Sequence, residues 1–220
     1  MDKTTTAFHP SEGGPRSRRL RPVAIVALWI AAVAGGSAAM LHYEFTEGRD
    51  PHAPAHWPAA SRIPRTEGQP TLVVFAHPRC PCTAATFDEL DAVIATAGSG
   101  TRVSVLFFTP ADAGEDWTEA PSVSQAAAIA GVNVIADGSA REARLFNALT
   151  SGRTLLYDPN GELLFDGGIT GSRGHTGENA GAATLAALLA HETSARATAP
   201  VFGCPILQRP SQSDSASWTR

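Results

Sequence analysis

The chain has 220 residues, 43% of them hydrophobic and 17% charged, with a formal net charge of −4; that composition can bury one domain's core and excludes a wholly disordered polymer. The charge is divided. Lys3, Arg16, Arg18, Arg19 and Arg21 against Asp2 and Glu12 give residues 1–22 a net +3, and the remainder is acidic. An acidic body without a basic stripe excludes nucleic acid as the partner, because phosphate contacts supply most of that affinity.

Residues 1–22 carry no apolar periodicity and are expected to be a disordered, basic, cytoplasmic tail. Then comes VAIVALWIAAVAGGSAAML, residues 23–41, uncharged throughout. At about 1.5 Å per residue it spans roughly 28 Å, close to a bilayer's hydrocarbon thickness. Arginines precede it and Glu44, Glu47 and Asp50 follow it, so it predicts a single-pass anchor with the N-terminus inside and the body exported. Two other readings of the run stay open: a cleaved signal peptide, for which Gly36 to Ala39 supply small residues, and a buried core helix.

Residues 42–70 form a linker, its 48–70 portion holding five prolines in 23 residues and predicting a semi-rigid extended spacer. His52 and His56 lie in it at a ligand-like spacing but are read as solvated linker. Residues 71–207 form the domain. TLVVFA (71–76) reads as a buried strand, 83–98 as a helix with Phe87, Leu90 and Ile94 on one face, and RVSVLFFT (102–109) as a second buried strand. Strand, helix, strand at this spacing predicts a right-handed crossover in a parallel sheet. A loop through Trp117, a short helix in SQAAAIAG and a strand at 132–137 follow. Residues 139–152 read as a capped helix, with Leu145 and Leu149 at i and i+4 and a closing glycine. RTLLYD and ELLFDGG, joined by Pro-Asn-Gly, predict a hairpin, because Asn and Gly tolerate a tight turn's positive φ. A last helix is expected near 179–191, and residues 208–220 have no core-forming pattern. The order βαβαβαββα predicts an α/β sandwich, a mixed central sheet with helices on both faces.

The chemistry-bearing stretch is HPRCPCT, residues 77–83, where the first strand hands over to the first helix. Pro81 fits the first helical position and makes Cys80 the expected N-cap. A thiolate there faces unpaired backbone N–H groups and the positive end of the helix dipole, which lower its pKa. Cys80 is therefore the expected nucleophile. Cys82, two residues on, would not face it on a helix, so a bond between them is expected to be strained. Cys204, in PVFGCP beyond the last helix, makes the cysteine count odd and offers an exchange partner to either. The bland reading is that these cysteines only pack.

The strand, the HPRCPCT turn, the YDPNGELLFDGG hairpin and the final helix resemble the thioredoxin-like superfamily, particularly its membrane-anchored bacterial members. ITGSRGHTGENAG and TAPVFGCPI also resemble a group of such proteins called RedB. The resemblance implies a thioredoxin-like three-layer sandwich over roughly 70–207, and a periplasm-facing thiol–disulfide oxidoreductase at a bacterial inner membrane. It implies protein thiols or disulfides as partners and no cofactor. Cys80 would attack, with Cys82 or Cys204 resolving; His77, Pro81, Thr83, Arg153 and His175 would be accessory. The pattern departs from the superfamily in two places. One residue rather than two separates the cysteines, which puts Thr83 at the usual resolving position. The superfamily's cis-proline before the hairpin is replaced by Gly152 or Arg153. Two alternatives stand beside the leading reading: copper(I) held by Cys80 and Cys82 with Cys204, His77 or His175, since soft thiolates select that ion, and a thiol peroxidase using Arg153.

Overall fold

The computed structural model describes residues 16–48, 51–97, 100–111, 114, 117, 119–192 and 195–207; the tails expected to be disordered lie largely outside them, at 1–15 and 208–220. The chain divides into two compact units, Met1–Tyr43 and Glu44–Arg220. In the first, helix α1 runs Arg16–Glu44, and its Pro22–Glu44 portion is long and apolar enough to cross a membrane, with a mean hydropathy of 2.1 and no part buried. That exposure excludes the buried core helix. Every large apolar side chain from Val23 to Leu41 that would need covering faces outward.

The second unit is a six-stranded mixed sheet. Its strands are β1 (Thr71–Ala76), β2 (Arg102–Thr109), β3 (Val132–Gly138), β4 (Arg153–Tyr157), β5 (Leu163–Gly167) and β6 (Ala197–Thr198), in the order β3-β2-β1-β4-β5-β6. β1 pairs parallel with β2 and antiparallel with β4, so both of its edges and both of its faces are covered. That is why TLVVFA is an unbroken apolar run with every residue buried. Helices α2 (Thr83–Ala97), α3 (Pro121–Ala128) and α5 (Ala180–Leu189) lie on one face, where Phe87 and Leu90 of α2 and Leu185 of α5 pack on Leu72 and Val74. The other face holds Val73, Phe75, Leu155 and Tyr157 against Ala143 and Phe146 around the short helix α4 (Arg141–Leu145). The architecture is the expected α/β sandwich, thioredoxin-like in strand order and in its β4–β5 hairpin. The hairpin turns at Gly161, φ +87°, with its N–H on the Asp158 carbonyl.

Two expectations give way, and one short strand comes in addition. The proline-rich 51–66 segment is no spacer: Ala53 and Ile63 are buried, the Trp57 ring meets Phe146 and Tyr157 edge-on at 5.0 and 5.2 Å, and the Tyr157 hydroxyl donates to the Pro54 carbonyl at 2.9 Å. The apolar residues among those prolines cover the sheet face that α4 is too short to cover. Within it His52 and His56 are exposed. The helix expected over 139–152 is only five residues long, because Ala140 and Asn147 adopt φ of +54° and +56° and break it at both ends. Finally, β6, parallel to β5, was not anticipated; two residues carry no period to read.

Candidate functional site

Beyond β1 the chain turns sharply. The Cys80 N–H donates to the His77 carbonyl at 3.0 Å, and the Thr83 N–H to the Cys80 carbonyl at 3.1 Å, so Cys80-Pro81-Cys82-Thr83 is a tight turn that precedes α2. Helix α2 begins at Thr83, which corrects the expectation that Cys80 is its N-cap. Pro81, exposed, takes the second position of a turn, to which its fixed φ is suited. Cys80 and Cys82 are buried and Cys204 half-buried, all three are thiols, and their sulfurs lie within 4.8 Å of one another.

Cys204 arrives from the far end of the domain. The Ser151 N–H donates to its carbonyl at 2.8 Å, the Ile206 N–H donates to the Leu149 carbonyl at 2.7 Å, and Thr150 bridges antiparallel to Pro205. Residues 204–206 thus form a strand-like pairing on the loop that leads into β4. Gly203 permits the approach, since a β-carbon there would lie 1.8 Å from the Ser151 carbonyl oxygen.

The Cys80 thiol is held far below the ordinary thiol range, at about 4. The main cause is the hydrogen bond from the Cys204 thiol, helped by the Cys204 N–H, the Thr83 hydroxyl and the Cys82 N–H, all against the opposing effect of burial. Cys204, as the proton donor to that thiolate, is pushed strongly upward, and Cys82 is raised by burial and by the Cys80 charge. Direct donors, more than the helix dipole, create the nucleophile. His77 is partly buried, stacks on Phe108 at 5.6 Å and meets Trp117 at 5.5 Å; burial lowers its pKa, so it is a neutral neighbour of Cys80. Its Nδ1 accepts from the Arg79 N–H. Beside Cys80 a cleft of about 590 Å³ opens between Phe108, Trp117 and Ile206, with Arg79 stacked 4.3 Å over the Trp117 ring.

Of the residues singled out from sequence, the structure gathers Cys80, Cys82, Cys204, His77, Pro81 and Thr83. Arg153 and His175 stand apart. Arg153 pairs in register with Phe75, so strand alternation turns it to the α4 face, where its guanidinium forms a buried two-pronged pair with Asp166 at 2.9 Å. The groups acting most strongly on Cys80 do not include it. The arginine expected of a peroxidase is thus not on the thiol. His175 is exposed, its Nδ1 on the Arg173 carbonyl at 2.9 Å, and is not among the clustered ligand groups. The Gly152 N–H donates to the Phe75 carbonyl at 2.8 Å, a bond that a proline there would lack the hydrogen to make.

Two participants went unread. The Ser151 hydroxyl accepts from the His77 N–H at 2.9 Å and pairs with the Thr83 hydroxyl at 3.2 Å. Arg173 donates to the Gly203 and Thr46 carbonyls, and its charge lowers Cys82 and Cys204. Its one sequence signal is a lone cation in the glycine-rich GGITGSRGHTG run.

No protein-family model matches the sequence, and no curated protein does. Among solved structures, a hypothetical protein from Sinorhizobium meliloti 1021 superposes at TM-score 0.53 and 22% identity, covering 74% of this chain and 94% of that one. An uncharacterized conserved protein from Geobacillus kaustophilus does so at 0.51 and 18%, covering 76% and 94%. A secreted Mycobacterium tuberculosis disulfide oxidoreductase matches loosely, at TM-score 0.37 and 14% identity over 57% of this chain and 83% of that one, too loosely to inform activity. At these identities the likeness shows the fold alone, a mixed-sheet α/β sandwich of thioredoxin-like type.

Proposed function

We propose that the chain is a thiol–disulfide oxidoreductase anchored by α1 in a bacterial inner membrane, its body in the periplasm, exchanging disulfides with protein thiols. The observation that carries this reading is the Cys80 sulfur, held as a thiolate by donated hydrogen bonds, within 4.8 Å of two further sulfurs and open to a cleft. Cys80 attacks a partner disulfide, forming a mixed disulfide and expelling the partner's other sulfur as thiolate. A second thiol of the cluster then displaces the partner from Cys80, so two electrons pass from the protein's thiols to the partner. In reverse, the oxidised protein accepts them. The trithiol cluster also favours a second reading, copper(I) binding, because three soft ligands converge.

The deciding experiment uses the reduced full-length chain in detergent, mixed with glutathione disulfide. The thiols are expected to oxidise reversibly with metal absent, and Cys80→Ser to abolish the reaction. Three thiols that resist oxidation yet become protected from alkylation by copper(I) would overturn exchange in favour of metal binding. Orientation is read separately: alkaline phosphatase fused after Arg220 is expected to be active in a bacterial host, and an inactive fusion would place the body in the cytoplasm.

A further inference from the structure

Cys80 has two neighbouring thiols, and they are not equivalent. Cys82 is joined to Cys80 through Pro81 in a turn already closed by the Thr83 N–H on the Cys80 carbonyl. A bond of about 2.05 Å between these sulfurs, with the right-angled dihedral disulfides require, would have to be accommodated inside that turn. Proline fixes one of the few torsions that could yield. Cys204 belongs to a separate segment, anchored by its own carbonyl, which accepts from the Ser151 N–H, and by the Ile206 N–H on the Leu149 carbonyl. Its side chain can move toward Cys80 without disturbing the turn.

Access separates them as well. The cleft beside the nucleophile is lined by Cys80 and Cys204, with Arg79, Phe108, Trp117 and Ile206 among its other walls, and Cys82 does not line it. A partner joined to Cys80 through this cleft therefore lies beside Cys204. The pairing of 204–206 with the backbone of 149–151 holds Cys204 at the rim of that cleft.

We propose that Cys204 is the resolving thiol, so that the oxidised protein carries a Cys80–Cys204 disulfide while Cys82 remains a thiol. This assignment rests on the exchange reading above. In the first step the Cys80 thiolate attacks one sulfur of the partner disulfide, and the other leaves as thiolate and takes up a proton. Cys204 then loses its proton, attacks the Cys80 sulfur, and the partner's remaining sulfur departs as thiolate. One disulfide is consumed, one is formed, and two electrons move to the partner. The hydrogen bond from the Cys204 thiol to Cys80 already directs the resolving sulfur at its target. Cys82 also bonds Cys80 in the reduced state, through its N–H and its thiol, but in this assignment it supplies no electron.

The test uses reduced full-length protein in detergent, treated with glutathione disulfide, acid-quenched, alkylated and mapped by peptide mass spectrometry. A Cys80–Cys204 crosslink is expected in the unsubstituted chain and in Cys82→Ser. In Cys204→Ser, glutathione is expected to persist on Cys80 at least about tenfold longer. A Cys80–Cys82 crosslink with Cys204 alkylated in the unsubstituted chain overturns the assignment and leaves exchange intact; so does persistent glutathionylation in Cys82→Ser. A Cys80 that stays an alkylatable thiol in all three proteins, bonded neither to glutathione nor to another cysteine, overturns the exchange reading and this assignment together. The crosslink mapped in the unsubstituted chain decides the assignment by itself, so the assignment does not depend on either variant folding.

Discussion

Replacing Asp166 with alanine is expected to destabilise the body by about 3–5 kcal/mol, the range found when one partner of a buried ion pair is removed. Arg153 and Asp166 are only 3% and 5% exposed. The guanidinium Nε and Nη2 each donate to a carboxylate oxygen at 2.9 Å, and the Ala53 N–H donates to Oδ2 at 3.0 Å. Alanine leaves that N–H orphaned and strips the carboxylate from the Arg153 guanidinium, whose Nη1 donates to the Pro51 and Asn147 carbonyls. Both costs fall on groups that water does not reach. The pair also clips the 51–54 segment to β5 through the Ala53 N–H and the Pro51 carbonyl, so local loosening of Trp57 should accompany the loss. Arg153→Met combined with Asp166→Leu removes both charges and should recover a substantial part of the deficit. Urea denaturation followed by Trp fluorescence measures this. A loss below about 1 kcal/mol would mean that the pair is open to solvent and structurally dispensable.

How far the sequence announced this arrangement depends on range. β1, α2 and the β4–β5 hairpin were legible because their signals are local: an unbroken apolar run, a 3.6-residue stripe, and Pro-Asn-Gly between two strands. The 51–66 segment was not, because proline-rich chain carries no period, and Trp57 and Ile63 find their partners only once the sheet exists. Leu145 and Leu149 at i and i+4 imitated a helix that Asn147, at positive φ, breaks between them. The site divides in the same way. HPRCPCT marked the nucleophile by its place between strand and helix, although the turn lasts two residues longer than Pro81 led one to expect. The oddness of the cysteine count drew attention to Cys204, but its approach depends on pairing between residues more than fifty apart, which no window of sequence contains. Arg153 was misread for the corresponding reason. One residue of strand register decides which face it serves, and the arginine faces Asp166.

Gly203→Ala tests whether that long-range pairing makes the nucleophile. The added methyl group would meet the Ser151 carbonyl oxygen at 1.8 Å, and the obstacle is backbone, so it cannot rotate away. Residues 203–206 must therefore retreat from 149–151, carrying off the Cys204 thiol and N–H that are the first and third largest influences on Cys80. In the unsubstituted protein Cys80 titrates near 4, so its thiolate is the prevailing form at every pH above that, and its alkylation rate should be nearly flat between about pH 5.5 and 8. In the variant, burial still opposes the charge while two of the donors are gone. The midpoint should climb by several units toward the free-thiol value of about 8.5, so the rate at about pH 6 falls at least tenfold while the rate at high pH is retained. Following iodoacetamide labelling of Cys80 against pH in both proteins, with circular dichroism to verify the fold, gives the answer. Superimposable profiles would show that Thr83 and the turn's own N–H groups suffice to hold the charge, and that the Cys204 segment is a bystander in the reduced state. A profile displaced upward would show that the thiolate exists because the end of the domain is folded back onto its first turn.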